Sequence, residues 1–303
     1  MTASRTWTAW SCTVRLTVDD PAVLGAACGE LKALMDRVDK AASHFRPDSE
    51  LSIANSRAGA MVPVSRLLVD LVDVSLVAAS MSGGAVDPTV GAAVIAAGYD
   101  ADIEAVRRRF PKPSEEPKPI AGWEQVQLNR KLALLGVPKD SALDLGAIAK
   151  AWTADRAALV LSKRYGCAVL VEIGGDLRAA GEPAEPWIVT VAERAGDPGV
   201  QVTLAHGGLT TSTRTVRRWQ TPDGSAHHLI DPRTGRPSDG LWRTATVWAP
   251  SAVRANTFST ALVATGEAAV GRLTLAGHPA RLVAEDGEVT ELAGWPPAAS
   301  RAA

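Results

Sequence analysis

The chain has 303 residues, 46% of them hydrophobic, with 32 Lys+Arg against 33 Asp+Glu, enough for one large unit with a sizeable core. A net charge near zero removes the basic footprint of a nucleic-acid binder. Three dispersed cysteines, Cys12, Cys28 and Cys167, exclude a disulfide scaffold and a thiolate zinc site of ordinary spacing.

From Trp7 to Val18 the sequence alternates, with Trp10, Cys12, Val14, Leu16 and Val18 on one side, which predicts one opening strand. Nothing before it has the basic-then-apolar pattern of an export signal, and no stretch reaches the ~20 apolar residues of a membrane span. A cytoplasmic location is expected. After Asp20-Pro21, Leu24, Ala27, Leu31, Leu34, Met35 and Val38 recur at helical spacing, predicting an amphipathic helix that ends near Ser43. Asp48 or Ser49 then caps a short helix. Leu67 to Met81 reads as a further helix, followed by Gly83-Gly84, where the backbone turns sharply or approaches a ligand. Arg107 to Ile120 holds four prolines amid mixed charge, predicting an exposed connector between two lobes of a single unit spanning 1–303.

Trp123 to Leu128 and Lys131 to Leu135 form a predicted hairpin around Asn129-Arg130. A helix from Asp144 to Arg164 has an acidic start and a basic end, and Gly166 stops it. Strands are predicted at Ala168–Ile173, Trp187–Val191, Val200–Leu204, Val216–Gln220, Thr244–Trp248 and Arg281–Ala284, with helices at Val253–Thr265 and Ala268–Ala276. Without a regular β-α-β succession, the expected class is α+β, with largely antiparallel sheets and packed helices.

Four clusters carry more carboxylates, hydroxyls and glycines than a core requires: Gly83 to Thr89, Asp144 to Lys150, Glu172 to Asp176, and His227 to Pro237. Each also has an ordinary reading, as a helix cap, a solvated lysine or a tight turn. Neither a Rossmann glycine motif nor a P-loop is present. His227 and His228 are adjacent and project oppositely from a strand, so one imidazole facing a cleft is expected rather than a metal pair. Asp231 beside them fits an orienter for a general base. Ser259 and Thr260 either pack or offer oxygens to a hard cation such as magnesium.

The segments F-R-P-D-S-E-L-S, G-G-A-V-D-P-T-V-G, D-L-G-A-I-A-K-A, V-E-I-G-G-D-L-R-A-A-G, H-L-I-D-P-R-T-G-R-P and A-P-S-A-V-R-A-N-T-F-S-T-A-L-V-A-T-G follow in that order. Together, over about residues 40 to 270, they resemble the ApbE family of FAD:protein FMN transferases. The resemblance implies an ApbE-like, T-fold-like architecture and a magnesium-dependent enzyme. Such an enzyme splits FAD, attaches FMN to a Thr or Ser of an acceptor flavoprotein bearing a D-G-x-[ST]-G-[AS]-T-like motif, and releases AMP. An FAD pyrophosphatase and a non-catalytic FAD carrier are the alternatives on the same scaffold.

By that resemblance FAD contacts fall on Phe45, Ala85, Val86, Asp87, Asp144, Lys150 and Ile230, and catalytic roles on Lys150, His228 and Asp231. The implied magnesium ligands are the Ala147 carbonyl, Asn256, Ser259 and Thr260. Phe45 stands where the family has tyrosine, and Val86 replaces an aromatic residue. Asn256 stands where the family has aspartate, which keeps an oxygen ligand and removes one negative charge.

Overall fold

In the computed structural model, which describes residues 2–111, 115–117, 120–194, 196–222 and 224–296, the alternating opening segment is two strands rather than one. β1 (Ala3–Ala9) and β2 (Cys12–Val18) pair antiparallel. The chain reverses at Trp10 and Ser11, whose φ angles are 51° and 54°. Two left-handed residues in succession make the mirror-image turn that suits strand twist. Trp-Ser lacks the usual Asn-Gly signal, so alternation alone runs straight through it.

α1 (Leu24–Ala42) shares one core with β2, joining Leu31, Met35 and Val38 to Val14, Leu16 and Val18. α2 (Glu50–Ser56) is capped by Ser49, whose hydroxyl accepts from Ser52 N at 3.0 Å. β3 (Met61–Pro63) leads into α3 (Arg66–Ser82), which ends on left-handed Gly83. α4 (Gly91–Ala96) and α5 (Ile103–Arg108) follow.

The connector expected from Arg107 therefore begins later. Asp102 caps α5 and no breaker precedes Pro111, so Arg107 and Arg108 complete the helix. Residues 112–114 and 118–119 of that connector lie outside the described residues. The next pair of strands is also shorter than expected: β4 (Gln127–Asn129) and β5 (Leu134–Gly136) join β3 in a small sheet. Trp123–Gln125 is a 3-10 turn, held because Trp123 N donates to Asp87 Oδ2 at 3.0 Å.

α6 (Gly146–Tyr165) starts after Asp144, whose Oδ1 accepts from Gly146 N at 2.6 Å outside the helix. β6 (Val169–Ile173) and β7 (Asp176–Ala180) turn about Gly174-Gly175, with φ of 58° and 93°. A Cβ on Gly174 would stand 2.9 Å from Cys12 Sγ, so this turn requires glycine there. The hairpin β8 (Trp187–Val191) and β9 (Val200–Leu204) precedes β10 (Gly207–Thr213). Two small hairpins come next, β11 (Arg218–Thr221) with β12 (Gly224–His227) and β13 (Ile230–Asp231) with β14 (Arg236–Pro237). β15 (Trp242–Ala249), α7 (Ala252–Thr265), α8 (Glu267–Ala276), β16 (Ala280–Ala284) and β17 (Val289–Leu292) complete the described chain.

The class is α+β. One antiparallel sheet runs in the order β1-β2-β6-β7-β10-β15-β16-β17, with α1, α6 and α7 against one face. On the opposite face, Trp187, Val189 and Val191 of β8 pack with Leu170, Ala179 and Leu209. Among the described residues no helix is long and apolar enough to cross a membrane.

β10 lies at the sheet's centre, yet apolar alternation does not reveal it. Its inner Thr210 and Ser212 hydroxyls lie 3.2 and 2.9 Å from Ser259 Oγ on α7. On the outer face Thr211 meets Thr246 at 2.9 Å and Thr213 meets Thr244 at 2.8 Å. From Thr210 to Thr213 hydroxyl pairing replaces apolar contact along this strand. Gly208 is required because a Cβ would collide with the Ala252 main chain.

α6 holds the start of α7 through Asp155. Its Oδ1 accepts from Ala252 N at 2.8 Å and its Oδ2 from Val253 N at 2.9 Å, while Arg178 Nε lies 3.5 Å away. The Asp155→Ala variant strands two helix-terminal donors, and is expected to lose about 2–4 kcal/mol. Urea unfolding checks this: the midpoint should fall with m unchanged.

Candidate active site

A cleft of about 1250 Å³ passes around the β6–β7 turn and has two arms. The arm on the helical side is built by segments at helix ends: His44 and Phe45 after α1, Ala85, Val86 and Asp87 after α3, and Asp144 before α6. Tyr99, His228 and Ile230 line it from the facing side. The other arm runs over the outer face of the sheet beside β8. Lys150, Asp176, Arg217 and the Gly174-Gly175 turn stand in the same cleft.

The wall of the helical arm is aromatic. Phe45 meets Tyr99 edge to face, with centroids 5.3 Å apart and planes at 88°. Tyr99 stacks on Trp219 at 5.3 Å and 10°, and its centroid lies 6.1 Å from that of His228. Flat apolar faces with polar edges suit a planar heteroaromatic ligand. Below them, Asp87 Oδ1 accepts from Thr89 N at 2.8 Å and Thr89 Oγ1 at 2.7 Å. Asp87 thus holds the loop while lining the cleft. Asn55 fixes the entry to Asp144, accepting from Leu143 N at 2.8 Å and donating to Leu143 O at 2.9 Å.

At the junction Lys150 Nζ lies 3.1 Å from Asp176 Oδ2. Asp176 Oδ1 accepts from Asn256 Nδ2 at 2.8 Å, and Asn256 Oδ1 accepts from Thr260 Oγ1 at 3.2 Å. Asn256 and Thr260 are one turn apart on α7, so helical spacing places both on one face. Asp176 Oδ2 is buried and, apart from its ion pair with the Lys150 ammonium, has no hydrogen-bond partner among the described residues.

Two expected site residues stand elsewhere. The Ser259 hydroxyl is wholly buried in the network with Thr210 and Ser212 and does not line the cleft. Thr260, one helix position on, also meets Ser212 of β10 at 3.0 Å but borders the cleft as well. Asp231 does not orient His228: both of its oxygens accept from Arg233 Nε, at 3.0 and 3.1 Å, and Oδ1 accepts from Arg233 N at 2.9 Å. The Asp-Pro-Arg-Thr-Gly turn is satisfied locally. Phe45, Ala85, Val86, Asp87, Asp144, Ala147, Lys150, His228, Ile230, Asn256 and Thr260 all line the cleft.

The adjacent histidines diverge. His227 Nε2 donates to Ser238 O at 2.8 Å, Leu229 N donates to its Nδ1 at 3.3 Å, and burial lowers its pKa to about 4. His228 lines the cleft, its Nδ1 has no hydrogen-bond partner among the described residues, and burial first, then the charge of Arg217, holds its pKa well below the ordinary value. Each therefore stays neutral at pH 7.

For His227 the unfolded chain takes up a proton near pH 6.5, whereas the folded chain does so only near pH 4. Stability is complete above pH 6.5 and falls toward pH 4, by about 3 kcal/mol from this group. Urea midpoints at pH 7 and pH 4.5 check this, and the slope should shrink in a His227→Gln variant.

Tyr99, Asp176 and Arg217 are site residues to which the sequence assigned no role, although Asp176 closes the Glu172 to Asp176 cluster. Gly-Gly-Asp after a strand is a signal for Asp176, but it equally marks a turn. Tyr99 and Arg217 sit in irregular segments and carry no periodic signal.

A model of the ApbE family matches residues 8–281. The chain belongs to the ApbE family. Among curated ApbE relatives, the FAD:protein FMN transferase of Treponema pallidum is 30% identical over 277 residues, covering 84% of this chain and 76% of the relative. That of Salmonella typhimurium is 29% identical, covering 78% and 70%. Among solved structures, the ApbE protein of Thermotoga maritima superposes with a TM-score of 0.84 at 26% identity, over 96% of this chain and 97% of that one. The flavin transferase ApbE of Vibrio cholerae shares the fold, with a TM-score of 0.76 at 23% identity over the same shares.

Proposed function

We propose that this chain is an FAD:protein FMN transferase that attaches FMN through a phosphoester to a Ser or Thr hydroxyl and releases AMP. The observation that carries the reading is the junction of the two arms. A cation, Lys150, and an unprotonated imidazole, His228, border the same cleft as an aromatic wall suited to a flavin. The relatives named for this activity support it.

In this reading the isoalloxazine lies by Phe45 and Tyr99, and the pyrophosphate lies by Lys150. His228 takes the acceptor hydroxyl proton, the hydroxyl oxygen bonds to the FMN phosphorus, and the phosphorus–oxygen bond to AMP breaks. Lys150 offsets charge on the phosphoryl oxygens. A hydroxyl is a poor nucleophile at neutral pH, so a neutral base beside it matters.

The residues present suit magnesium. The Ala147 carbonyl, Asn256 Oδ1, Thr260 Oγ1 and Asp176 Oδ2, which faces the Lys150 ammonium, are hard oxygen donors, whereas no cluster of three His, Cys, Asp or Glu side chains occurs among the described residues. When bound, magnesium supplies charge neutralisation at the pyrophosphate.

The test incubates the protein with FAD, magnesium and a soluble domain carrying the D-G-x-[ST]-G-[AS]-T motif, then measures intact mass and AMP. An acceptor gain equal to FMN supports transfer. AMP without acceptor gain marks a pyrophosphatase, and bound intact FAD marks a carrier.

A further inference from the structure

The sheet-face arm of the cleft has no role in holding FAD as read above. Its wall is unusual. All five residues of β8, Trp187 to Val191, border the cleft, and so does the chain onward to Arg194, whereas no residue of β9 does. Side chains alternate along a strand: Trp187, Val189 and Val191 are buried on the sheet, and Ile188 and Thr190 are exposed on the other side. A strand whose two faces both meet one cleft presents its edge to it. β8 pairs with β9 alone among the described residues, so the main-chain donors and acceptors of that edge have no strand partner.

Natural proteins cover or disrupt such edges unless the edge is used. This one runs beside a floor formed by Arg15 and Thr17 of β2 and Leu170 and Glu172 of β6, and the cleft continues to the Gly174-Gly175 turn, Lys150 and His228. A second phosphate-bearing ligand does not suit it. Glu172, Glu185, Glu193 and Asp197 border this arm against Arg15 and Arg194, leaving no surplus of cations for an anion. An extended polypeptide does suit it, because an edge strand recognises main chain by ladder hydrogen bonds and leaves alternate side chains to adjacent pockets.

We infer that β8 is the docking edge for the acceptor protein, which adds an extended segment as a strand beside Trp187–Val191 and so delivers its Ser or Thr hydroxyl to the junction at Lys150 and His228. This rests on the transferase reading. It divides the cleft by chemistry, with the dinucleotide in the helical arm and polypeptide in the sheet-face arm.

The test uses the full chain with FAD, magnesium and the same soluble motif-bearing domain. Hydrogen exchange of amides in 187–194 should slow about tenfold or more on adding the domain, with 200–204 unchanged. Ile188→Arg and Thr190→Arg change exposed side chains and should raise the KM for the acceptor about tenfold while FAD Kd stays within about twofold. Transfer with unaltered acceptor KM and no protection of 187–194 overturns the docking edge and leaves the transferase reading intact. Protection that depends on protein concentration without acceptor assigns the edge to a second copy and also overturns it. Absence of transfer to the acceptor, with no protection, overturns both.

Discussion

His228→Ala should slow FMN transfer about 1000-fold while FAD binding is retained, the size expected when a positioned general base is removed. The argument is electrostatic and geometric. His228 lines the cleft and its Nδ1 is unpartnered, while burial and the Arg217 charge keep it neutral. A base works in its neutral form, so a lowered pKa extends activity to lower pH. The acid limb of the transfer rate should therefore lie well below the ordinary histidine value of about 6.5. Stopped assays of FMN transfer from pH 4.5 to 8, with FAD affinity measured by fluorescence quenching, check both points. An Ala variant that transfers at the parent rate removes His228 from the chemistry. His227 is the internal control: it is bonded to Ser238 O and turned from the cleft, so its substitution should lower stability at neutral pH rather than move the acid limb.

The second large effect is expected from Asn256→Asp. In the chain as it stands, Asn256 Nδ2 donates to Asp176 Oδ1 at 2.8 Å. An aspartate cannot donate there when ionised, and two buried carboxylates would face each other beside a single ammonium, Lys150. Without a divalent cation the variant should be less stable by about 2 kcal/mol, a few degrees in Tm. With millimolar magnesium the repulsion becomes a stronger hard-ion site, so Tm should recover and exceed the parent's response, following the linkage between binding and folding. Differential scanning calorimetry with and without magnesium gives the answer independently of turnover. Equal magnesium shifts in the parent and the variant would place the cation away from Asn256 and Asp176.

Much of the site is legible in the chain because its parts are local. Asp144 and Lys150 flank and begin one helix, Ala85 to Asp87 follow a glycine helix cap, and each such segment brings its own geometry wherever it is placed. The α+β class, the long helices and the strands Trp187–Val191 and Val200–Leu204 are legible for the same reason: apolar periodicity and caps act over a few residues. The Trp10-Ser11 reversal and β10 are not, because a left-handed turn without glycine and a strand paired through threonine hydroxyls are stabilised by neighbours distant in the chain.

The roles that depend on pairing were decided by tertiary structure alone. Asp176 is a turn residue by sequence and becomes the hub between Lys150 and Asn256 only when β7, α6 and α7 are brought together. Asp231 stands three residues from His228 in the chain, yet Arg233 takes its carboxylate. Ser259 and Thr260 are neighbours with the same hydroxyl chemistry and both meet Ser212 of β10, yet after a step of about 100° around α7 only Thr260 also borders the cleft. Sequence by itself determined which chemical groups are available and their local spacing. Direction and partnership came from packing, because hydrogen bonds and ion pairs form between whatever the folded core places within about 3 Å.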